Sequence, residues 1–238
     1  MELTCSHVLC KVDDIRAAVR DFTDLGFTVE WGSAPAKAHN ALIWFEQGPF
    51  IELFELPSRF ALLRGPFGLA YGSAASTRLA KWARAGEGWR DVALETTGFE
   101  LSGTRRDLRA RGLPASRVMT GRRTRPDGQP VRYRFLTPAP AGLPFVVSAY
   151  HPPQRPAHVA HPNGALGVSR VRLGVAASDR AAFDTLVGAD PWLTPEPADR
   201  TGVLHVDLTG LTHPLDAAAL HGAELGPAAS ERSARWNS

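Results

Sequence analysis

The chain has 238 residues, of which 44% are hydrophobic and 21% charged, and its formal net charge at pH 7 is only +3. This balance predicts a globular protein with a sizeable core, because a disordered chain would have fewer apolar residues and more net charge. No run approaches the roughly 20 apolar residues that span a bilayer, and the N-terminus lacks the basic and apolar regions of a secretory signal. We therefore expect a cytoplasmic protein without a membrane partner.

The first part of the chain, residues 1–57, predicts a β-α-β-β-β module. Residues 3–12 form an apolar run typical of a strand, and the apolar residues that follow recur at helical spacing up to Gly26. Glycine commonly ends a helix, so the helix should stop there. The remaining strands of this module are expected at 27–31, 40–46 and 50–56.

Residues 89–153 repeat this order and predict a second β-α-β-β-β module. A helix is expected at 102–111, and the strands are expected at 90–96, 118–123, 131–137 and 144–150. Because each unit alone buries only one face of its sheet, the repetition indicates that the two modules pair around a cleft. The predicted fold class is α+β, with a cleft-bearing mixed β-sheet.

The remaining segments are weaker in pattern. Residues 58–88 predict a helical linker between the modules, and residues 154–221 predict an incomplete third module packed on the same unit. In that third module we expect strands at 168–175 and 202–208 and a helix at 178–187. Residues 222–238 are rich in Ala, Ser, Gly and Arg and predict a flexible tail.

Several features of the sequence exclude other functions. The densest basic stretch flanks a turn at 126–128 with only Tyr133 interleaved, which favours a solvated hairpin over a nucleic-acid surface. Cys5 and Cys10 lie five residues apart on one strand, so they should face opposite sides, Cys5 with His7, and form no disulfide. No nucleophile elbow, phosphate-binding loop or paired-cysteine zinc motif is present in the sequence.

Three phrases of the sequence resemble a known superfamily. They are SHVLCKVDDIRAAVRDFTDLGFTV from Ser6, AHNALIWFEQGPFIELFELP from Ala38 and HPNGA from His161. The first is similar to the opening of vicinal oxygen chelate proteins, with a His on the first strand, an acidic pair and an Ala-rich helix. The other two resemble the glyoxalase-like branch, which includes glyoxalase, bleomycin-resistance and dioxygenase relatives. The resemblance covers about residues 3–210.

The resemblance implies a metal site in the cleft. In that superfamily each module gives one ligand from its first strand and one from its last, which places His7 and Glu52 at the ligand positions of the first module. The second module has Asp91 and Ser148 at these positions, and serine is a poor ligand for Mn, Fe, Ni, Co or Zn. A divalent metal with water or His151 filling the gap and a metal-free cleft therefore both stay open.

The same comparison suggests which residues carry chemistry. Glu52 or Asp91 would act as base beside a carbonyl, with His7 or a metal polarising the enolate. The alternatives without a catalytic role are a buried core histidine at position 7 and an exposed acidic residue in a turn at position 91. Residues expected to contact substrate are His39, Asn40, Trp44, Tyr71, Arg134, Ser148 and Tyr150.

Two functions of different classes remain. The first is a small enzyme, an isomerase, lyase or cyclase that acts on an oxygen-rich metabolite, such as a secondary metabolite. The second is a non-catalytic protein that sequesters a drug or toxic metabolite and so confers antibiotic resistance. Loss of ligands in the second module favours the binder, and the retained acids favour the enzyme. The expected partner is a small molecule, with a homodimer as the expected assembly.

Overall fold

The computed structural model describes residues 2–227. The first module contains β1 (Thr4–Val12), α1 (Ile15–Asp24), β2 (Glu30–Trp31), β3 (Asn40–Ile43) and β4 (Phe50–Glu55). A linker follows, with a 3-10 helix (Ser58–Leu63), α2 (Arg64–Tyr71) and α3 (Ser73–Ala83). The second module contains β5 (Gly88–Glu95), α4 (Ser102–Ala110), β6 (Met119–Thr124), β7 (Pro130–Leu136) and β8 (Phe145–Val147).

The strands of the two modules form one eight-stranded sheet in the order β2-β3-β4-β1-β5-β8-β7-β6. β1 and β5, the first strands of the modules, pair antiparallel at its centre. Each is also parallel to the last strand of its own module, β4 or β8. This confirms the predicted α+β fold, and it brings the four strands that carry the expected ligand positions side by side.

Local sequence explains where the first helix begins and ends. The Asp14 carboxylate accepts hydrogen bonds from the backbone N–H groups of Arg16 and Ala17, which caps α1. Gly26 follows the helix with a φ of +83°, and a Cβ there would lie 2.9 Å from Asn163. Glycine at this position therefore serves both the left-handed backbone and a close approach of a distant segment.

The third segment forms a separate four-stranded sheet in the order β10-β9-β11-β12. Its elements are β9 (Gly167–Val175), a 3-10 turn (Ala177–Asp179), α5 (Arg180–Leu186), β10 (Leu193–Pro197), β11 (Gly202–Thr209), a 3-10 turn (Ala217–Leu220) and β12 (Leu225–Pro227). β9 is antiparallel to β11, and each has a parallel outer neighbour. The central strands β4-β1-β5-β8 of the large sheet have the same arrangement, so this segment repeats the centre of a module pair.

Two strands of the third segment depart from the sequence prediction. No strand was predicted where β10 lies, and its two prolines disfavour one. β12 falls inside the predicted flexible tail of residues 222–238, where three residues are too few to show a pattern. The rest of that tail, residues 228–238, lies outside the described residues.

Opposite faces of the large sheet serve different purposes. One face of β1 and β5 joins α1, α4 and the small sheet in a single apolar core, with β11 lying against β5. The other face carries Leu9, Ala93, Phe145 and Val147, and Trp82 of α3 packs edge-on against Phe145 at 5.4 Å between ring centroids. The linker therefore closes the part of the cleft that belongs to the second module.

Irregular pairing of β1 and β5 changes one sequence prediction. The register shifts between Cys5 and His7 and again between Leu9 and Cys10. As a result both cysteines lie in the main core as free thiols, whereas the sequence predicted that Cys5 shares the face of His7. Within residues 2–227, none of the helices is both long and apolar enough to cross a membrane.

Candidate functional site

His7 and Glu52 meet on the cleft face of the large sheet. They lie on the parallel neighbours β1 and β4, and His7 Nε2 is 3.4 Å from Glu52 Oε2. The His7 ring is only 2% exposed and stacks on Phe50 at 4.5 Å between ring centroids. The sequence proposed these two residues as a pair, and their side chains are within reach of a shared ligand.

The environment of this pair favours neutral forms. Burial lowers the pKa of His7 to about 3, in spite of the negative charge of Asp91. Burial also raises the pKa of Glu52, although the hydrogen bond from Asn40 and the positive charge of Arg123 oppose it. Asn40 Nδ2 donates to Glu52 Oε1 at 2.8 Å. A carboxyl group with a raised pKa can hold or release a proton nearer neutral pH, as a general acid or base must.

Two tyrosines stand beside Glu52. Burial and the negative charge of Glu52 raise the pKa of Tyr133 to about 12, and the pKa of Tyr150 is also raised for these reasons. Both phenols are therefore neutral near pH 7 and can donate hydrogen bonds. They line a narrow cavity of about 20 Å³ together with Asn40, Leu42, Trp44, Phe50, Glu52 and Arg123.

A larger cavity of about 480 Å³ adjoins this narrow one and shares the walls Trp44, Phe50 and Tyr150. Ser6, Glu95 and Arg155 also line it, and none of them was singled out from the sequence. Glu95 ends β5 in the phrase LETTG, so a carboxylate on the cleft face of a central strand was the available signal. Burial raises the pKa of Glu95, against the hydrogen bond from Ser6 and the charge of Arg155.

Asp91 is buried and bonded to side chains of the linker. It is 2% exposed, so it is not a turn acid in solvent. Arg78 Nη1 lies 2.7 Å from both of its oxygens, and Lys81 Nζ and Trp82 Nε1 also donate to it, at 3.2 and 2.6 Å. A role of Asp91 as base or metal ligand stays a prediction from the sequence, and its carboxylate oxygens here accept from three side chains of α3.

Ser148 is likewise committed to the backbone. Its Oγ accepts a hydrogen bond from the Arg134 N–H and donates one to the Ala149 carbonyl, each at 2.9 Å. In the part of the chain that the structure describes, no group of three His, Cys, Asp or Glu side chains could hold a metal ion. His151, the proposed substitute ligand, is exposed. The residues present do not fit the four-ligand metal site that the resemblance implied.

Of the residues expected to contact substrate, Asn40, Trp44 and Tyr150 line the cavities described above. The others do not line these two cavities, and their contact with substrate stays a prediction; Tyr71 lines a separate cavity of about 430 Å³. His39 is exposed, and Tyr71 packs against Phe67 within the linker. Arg134 pairs with Glu100 at 2.8 Å. Arg123 of β6 and Tyr133 of β7 line the narrow cavity instead, because alternate side chains of these strands point towards Glu52.

Comparisons with known proteins agree with this architecture. A family model described as "Glyoxalase-like domain" matches residues 5–186. A hypothetical protein from Staphylococcus aureus has a similar structure, with a TM-score of 0.67 at 12% identity, over 95% of this chain and 100% of that one. At this identity the likeness concerns the fold alone. A search of curated proteins found no match.

Two further structures are more distant. The Mn(II)-bound glyoxalase from Novosphingobium aromaticivorans has a TM-score of 0.48 at 13% identity, over 86% of this chain and 64% of that one. An extradiol ring-cleaving dioxygenase from B. fuscum has a TM-score of 0.39 at 9% identity, over 94% of this chain and 53% of that one. At such low scores neither informs the chemistry of this chain.

Proposed function

The chain belongs to the glyoxalase-like domain family, and on that premise we propose that it is a small-molecule enzyme with Glu52 as its general base. The reaction class is isomerase, lyase or cyclase chemistry on a carbonyl-containing, oxygen-rich metabolite. The observation that carries the proposal is a carboxyl group with a raised pKa in a narrow cavity that opens beside a much larger one. Perturbed acids in clefts are typical of catalytic sites.

In the proposed reaction Glu52 takes a proton from the carbon next to the substrate carbonyl. The C–H bond breaks, an O–H bond forms on Glu52, and the electron pair moves onto the carbonyl oxygen as an enolate. The hydroxyl groups of Tyr133 and Tyr150 would donate hydrogen bonds to that oxygen, which lowers the barrier where charge develops. Return of the proton to another carbon gives an isomer, and expulsion of a neighbouring group gives a lyase product.

No step is assigned to a metal, because the side chains of Asp91 and Ser148 are committed to other partners. This same observation favours the alternative function, a non-catalytic protein that sequesters its ligand between Trp44, Phe50 and Tyr150. A cytoplasmic location and a homodimer stay predictions from the sequence. Proton transfer is what separates the enzyme from the binder.

Substitution of Glu52 tests the proposal. A panel of carbonyl metabolites is first screened by thermal stabilisation, and the hits are incubated with enzyme in deuterated water, where NMR follows α-proton exchange and product formation. We expect Glu52→Gln to lower turnover by about 100-fold or more, the scale of losing a general base. The stabilisation by ligand should change much less, because the aromatic walls are kept.

Glu100→Gln is the matched control, since Glu100 is exposed and pairs with Arg134 outside both cavities. It should leave turnover unchanged. The same assay is run with a chelator, which should have no effect on the wild type. Full turnover by Glu52→Gln would remove Glu52 from the mechanism, and tight binding without any exchange or product would favour the sequestering protein.

A further inference from the structure

A continuous row of polar side chains connects the two cavities. Glu52 Oε2 lies 3.4 Å from His7 Nε2, and His7 Nδ1 lies 3.2 Å from Ser6 Oγ. Ser6 Oγ in turn donates to Glu95 Oε2 at 2.6 Å. Glu52 lines the narrow cavity and Glu95 lines the large one. Two acids on opposite walls are therefore joined through a buried histidine and a buried serine.

The hydrogen-bond directions along this row are mutually consistent. Because the Ser6 hydroxyl donates to Glu95, its oxygen is left to accept a hydrogen bond from His7 Nδ1–H. A neutral imidazole carries one N–H, so His7 Nε2 then presents a lone pair to Glu52. A proton on Glu52 can donate to that lone pair. With a proton on Glu52 and none on Glu95, the donors of the row all point from Glu52 towards Glu95, and the contact between Glu52 and His7 at 3.4 Å is the longest in the row.

We propose that Glu95 is a second acid–base residue of the site and that Ser6 and His7 carry a proton between it and Glu52. The proton of Glu52 moves to His7 Nε2, that of Nδ1 moves to Ser6 Oγ, and the hydroxyl proton of Ser6 moves to Glu95. Glu52 loses a bond to hydrogen and Glu95 gains one, Ser6 Oγ exchanges one for another, and His7 gains one at Nε2 as it loses one at Nδ1, so the imidazole stays neutral but changes tautomer. The net result is one proton transferred, with no oxidant, reductant or further reactant.

The catalytic meaning of this row rests on the proposed function of Glu52. A base that has taken a proton from carbon must lose it again before the next turnover, and Glu52 lines the narrow cavity with only 19% of its side chain exposed. Transfer to Glu95 moves the proton to the wall of the large cavity. There it can be delivered to a different atom of the substrate, which is what an isomerase or lyase requires.

Two properties of the chain of residues support transfer in either direction. Burial raises the pKa of both Glu52 and Glu95, so each carboxyl group holds a proton more readily than it would in solvent. Burial also keeps His7 neutral, since its pKa is lowered to about 3, so the imidazole can pass a proton without storing one. If the Ser6–Glu95 hydrogen bond served only to stabilise the fold, it would need neither a second buried carboxyl group nor a neutral histidine beside it.

The test uses the full chain without substrate and reads the His7 ring by NMR after ¹⁵N labelling of histidine, with the signal assigned by a His7→Gln variant. We expect His7 to carry its proton on Nδ1 and to exchange it with water through Glu95. Glu95→Gln keeps the shape and the hydrogen bond from Ser6 but cannot take up a proton. It should slow the exchange about tenfold or more. This is a modest expectation, because loss of an acid–base group in catalysis typically costs about 100-fold or more.

Ser6→Ala should slow the exchange to a similar extent and move the proton to Nε2, where Glu52 accepts it, while Ser6→Thr should restore the wild-type signal. His161 is an internal reference, because it is buried and has its own partners, Thr28 N–H and the Trp44 carbonyl. Its exchange rate should not change in any variant that is folded. Glu100→Gln again controls for loss of a carboxylate.

Two results would overturn the relay: a proton on Nε2 of His7 in the wild type, or an unchanged exchange rate in both Glu95→Gln and Ser6→Ala. Neither result depends on turnover, so failure of the relay is distinguished from failure of the proposed function. The latter is decided by the turnover of Glu52→Gln alone.

Discussion

At the scale of single residues, Asp91 shows how a ligand position has been given a structural role. Its three side-chain donors are Arg78, Lys81 and Trp82, and the last two lie three and four residues after the first, on one face of α3. Both Arg78 and Asp91 are almost completely buried. A buried charge without a partner costs several kcal/mol of stability, so each of these two residues offsets the cost of burying the other.

Removal of Arg78 should therefore be strongly destabilising. We expect Arg78→Met to lower the free energy of unfolding by about 3 kcal/mol, because it leaves the Asp91 charge buried with Lys81 as its remaining cation. The double variant Arg78→Met/Asp91→Asn should lose less than the single one, since the charge is also removed. Urea unfolding at neutral pH measures both.

The exposed pair Arg180–Asp184 is the matched control, because it is an i,i+4 pair in solvent at 3.0 Å. Arg180→Met should cost at most about 0.5 kcal/mol. A loss below about 1 kcal/mol for Arg78→Met would contradict the view that this ion pair supports the closed part of the cleft.

The sequence located some site residues and missed others for identifiable reasons. His7 and Glu52 were found because each lies in an apolar strand within a family-like phrase. Ser6 was missed because strand parity fails at the register shift between Cys5 and His7. Glu95 was missed although it alternates regularly with Ala93 along β5 and so follows the cleft face. The partners of Asp91 come from the linker, whose packing on the cleft face has no signal in the strands themselves.

At the scale of elements, His221 joins three parts of the chain. It precedes β12, and its two ring nitrogens lie 2.9 Å from Asp21 of α1 and 2.9 Å from Glu87 before β5. Glu87 also accepts from the Asp13 N–H, and the imidazole stacks over Phe22. Burial alone would lower the pKa of His221, but the hydrogen bonds and charges of Glu87 and Asp21 outweigh it, so the pKa is raised.

A raised pKa makes the stabilisation by His221 dependent on pH. The folded state binds the proton more tightly than the unfolded state, whose histidine has a pKa of about 6.5. The stabilisation is therefore complete below about pH 6.5 and is lost as the pH rises through the higher folded-state pKa. We expect the free energy of unfolding of the wild type, relative to His221→Asn, to fall between about pH 6 and about pH 9.

Asparagine is chosen because His221 has a φ of 52°, a left-handed conformation that Asn tolerates better than most residues. His213→Asn is the control, since His213 is exposed and faces neither Asp21 nor Glu87. If the difference between wild type and His221→Asn were the same at both pH values, the imidazolium bridge would not contribute as described.

The elements themselves were predictable to different degrees. The helix of the first module was visible from apolar spacing, and its Asp14 cap agrees with that boundary. The paired modules were visible because their order of strands and helix repeats. The outer strands of the small sheet were not, since β10 contains two prolines and β12 has only three residues. Their positions depend on pairing with β9 and β11, which is a tertiary contact.

At the scale of the whole molecule, the phrase HPNGA fastens the third segment to the first module. His161 accepts from the Thr28 N–H and donates to the Trp44 carbonyl, each at 3.0 Å. The Asn163 side chain donates to the Leu25 carbonyl at the end of α1. A phrase that the sequence associated with a family branch thus has a physical role in this fold: it closes the shared core between the two sheets.

Loss of the Asn163 side chain should weaken the whole molecule without dividing it. Its amide also accepts from the Ala165 N–H, so Asn163→Ala leaves a carbonyl and an N–H without their partners in a fully buried position. We expect the free energy of unfolding to fall by about 2–4 kcal/mol, the cost of two unsatisfied groups. Gln129→Ala, in an exposed turn, should change it by less than about 0.5 kcal/mol.

Because both sheets share one core, circular dichroism and tryptophan fluorescence should still give coincident urea transitions in the Asn163→Ala variant. Separate transitions, or a stable proteolytic fragment that lacks the third segment, would show that the small sheet is an independent unit.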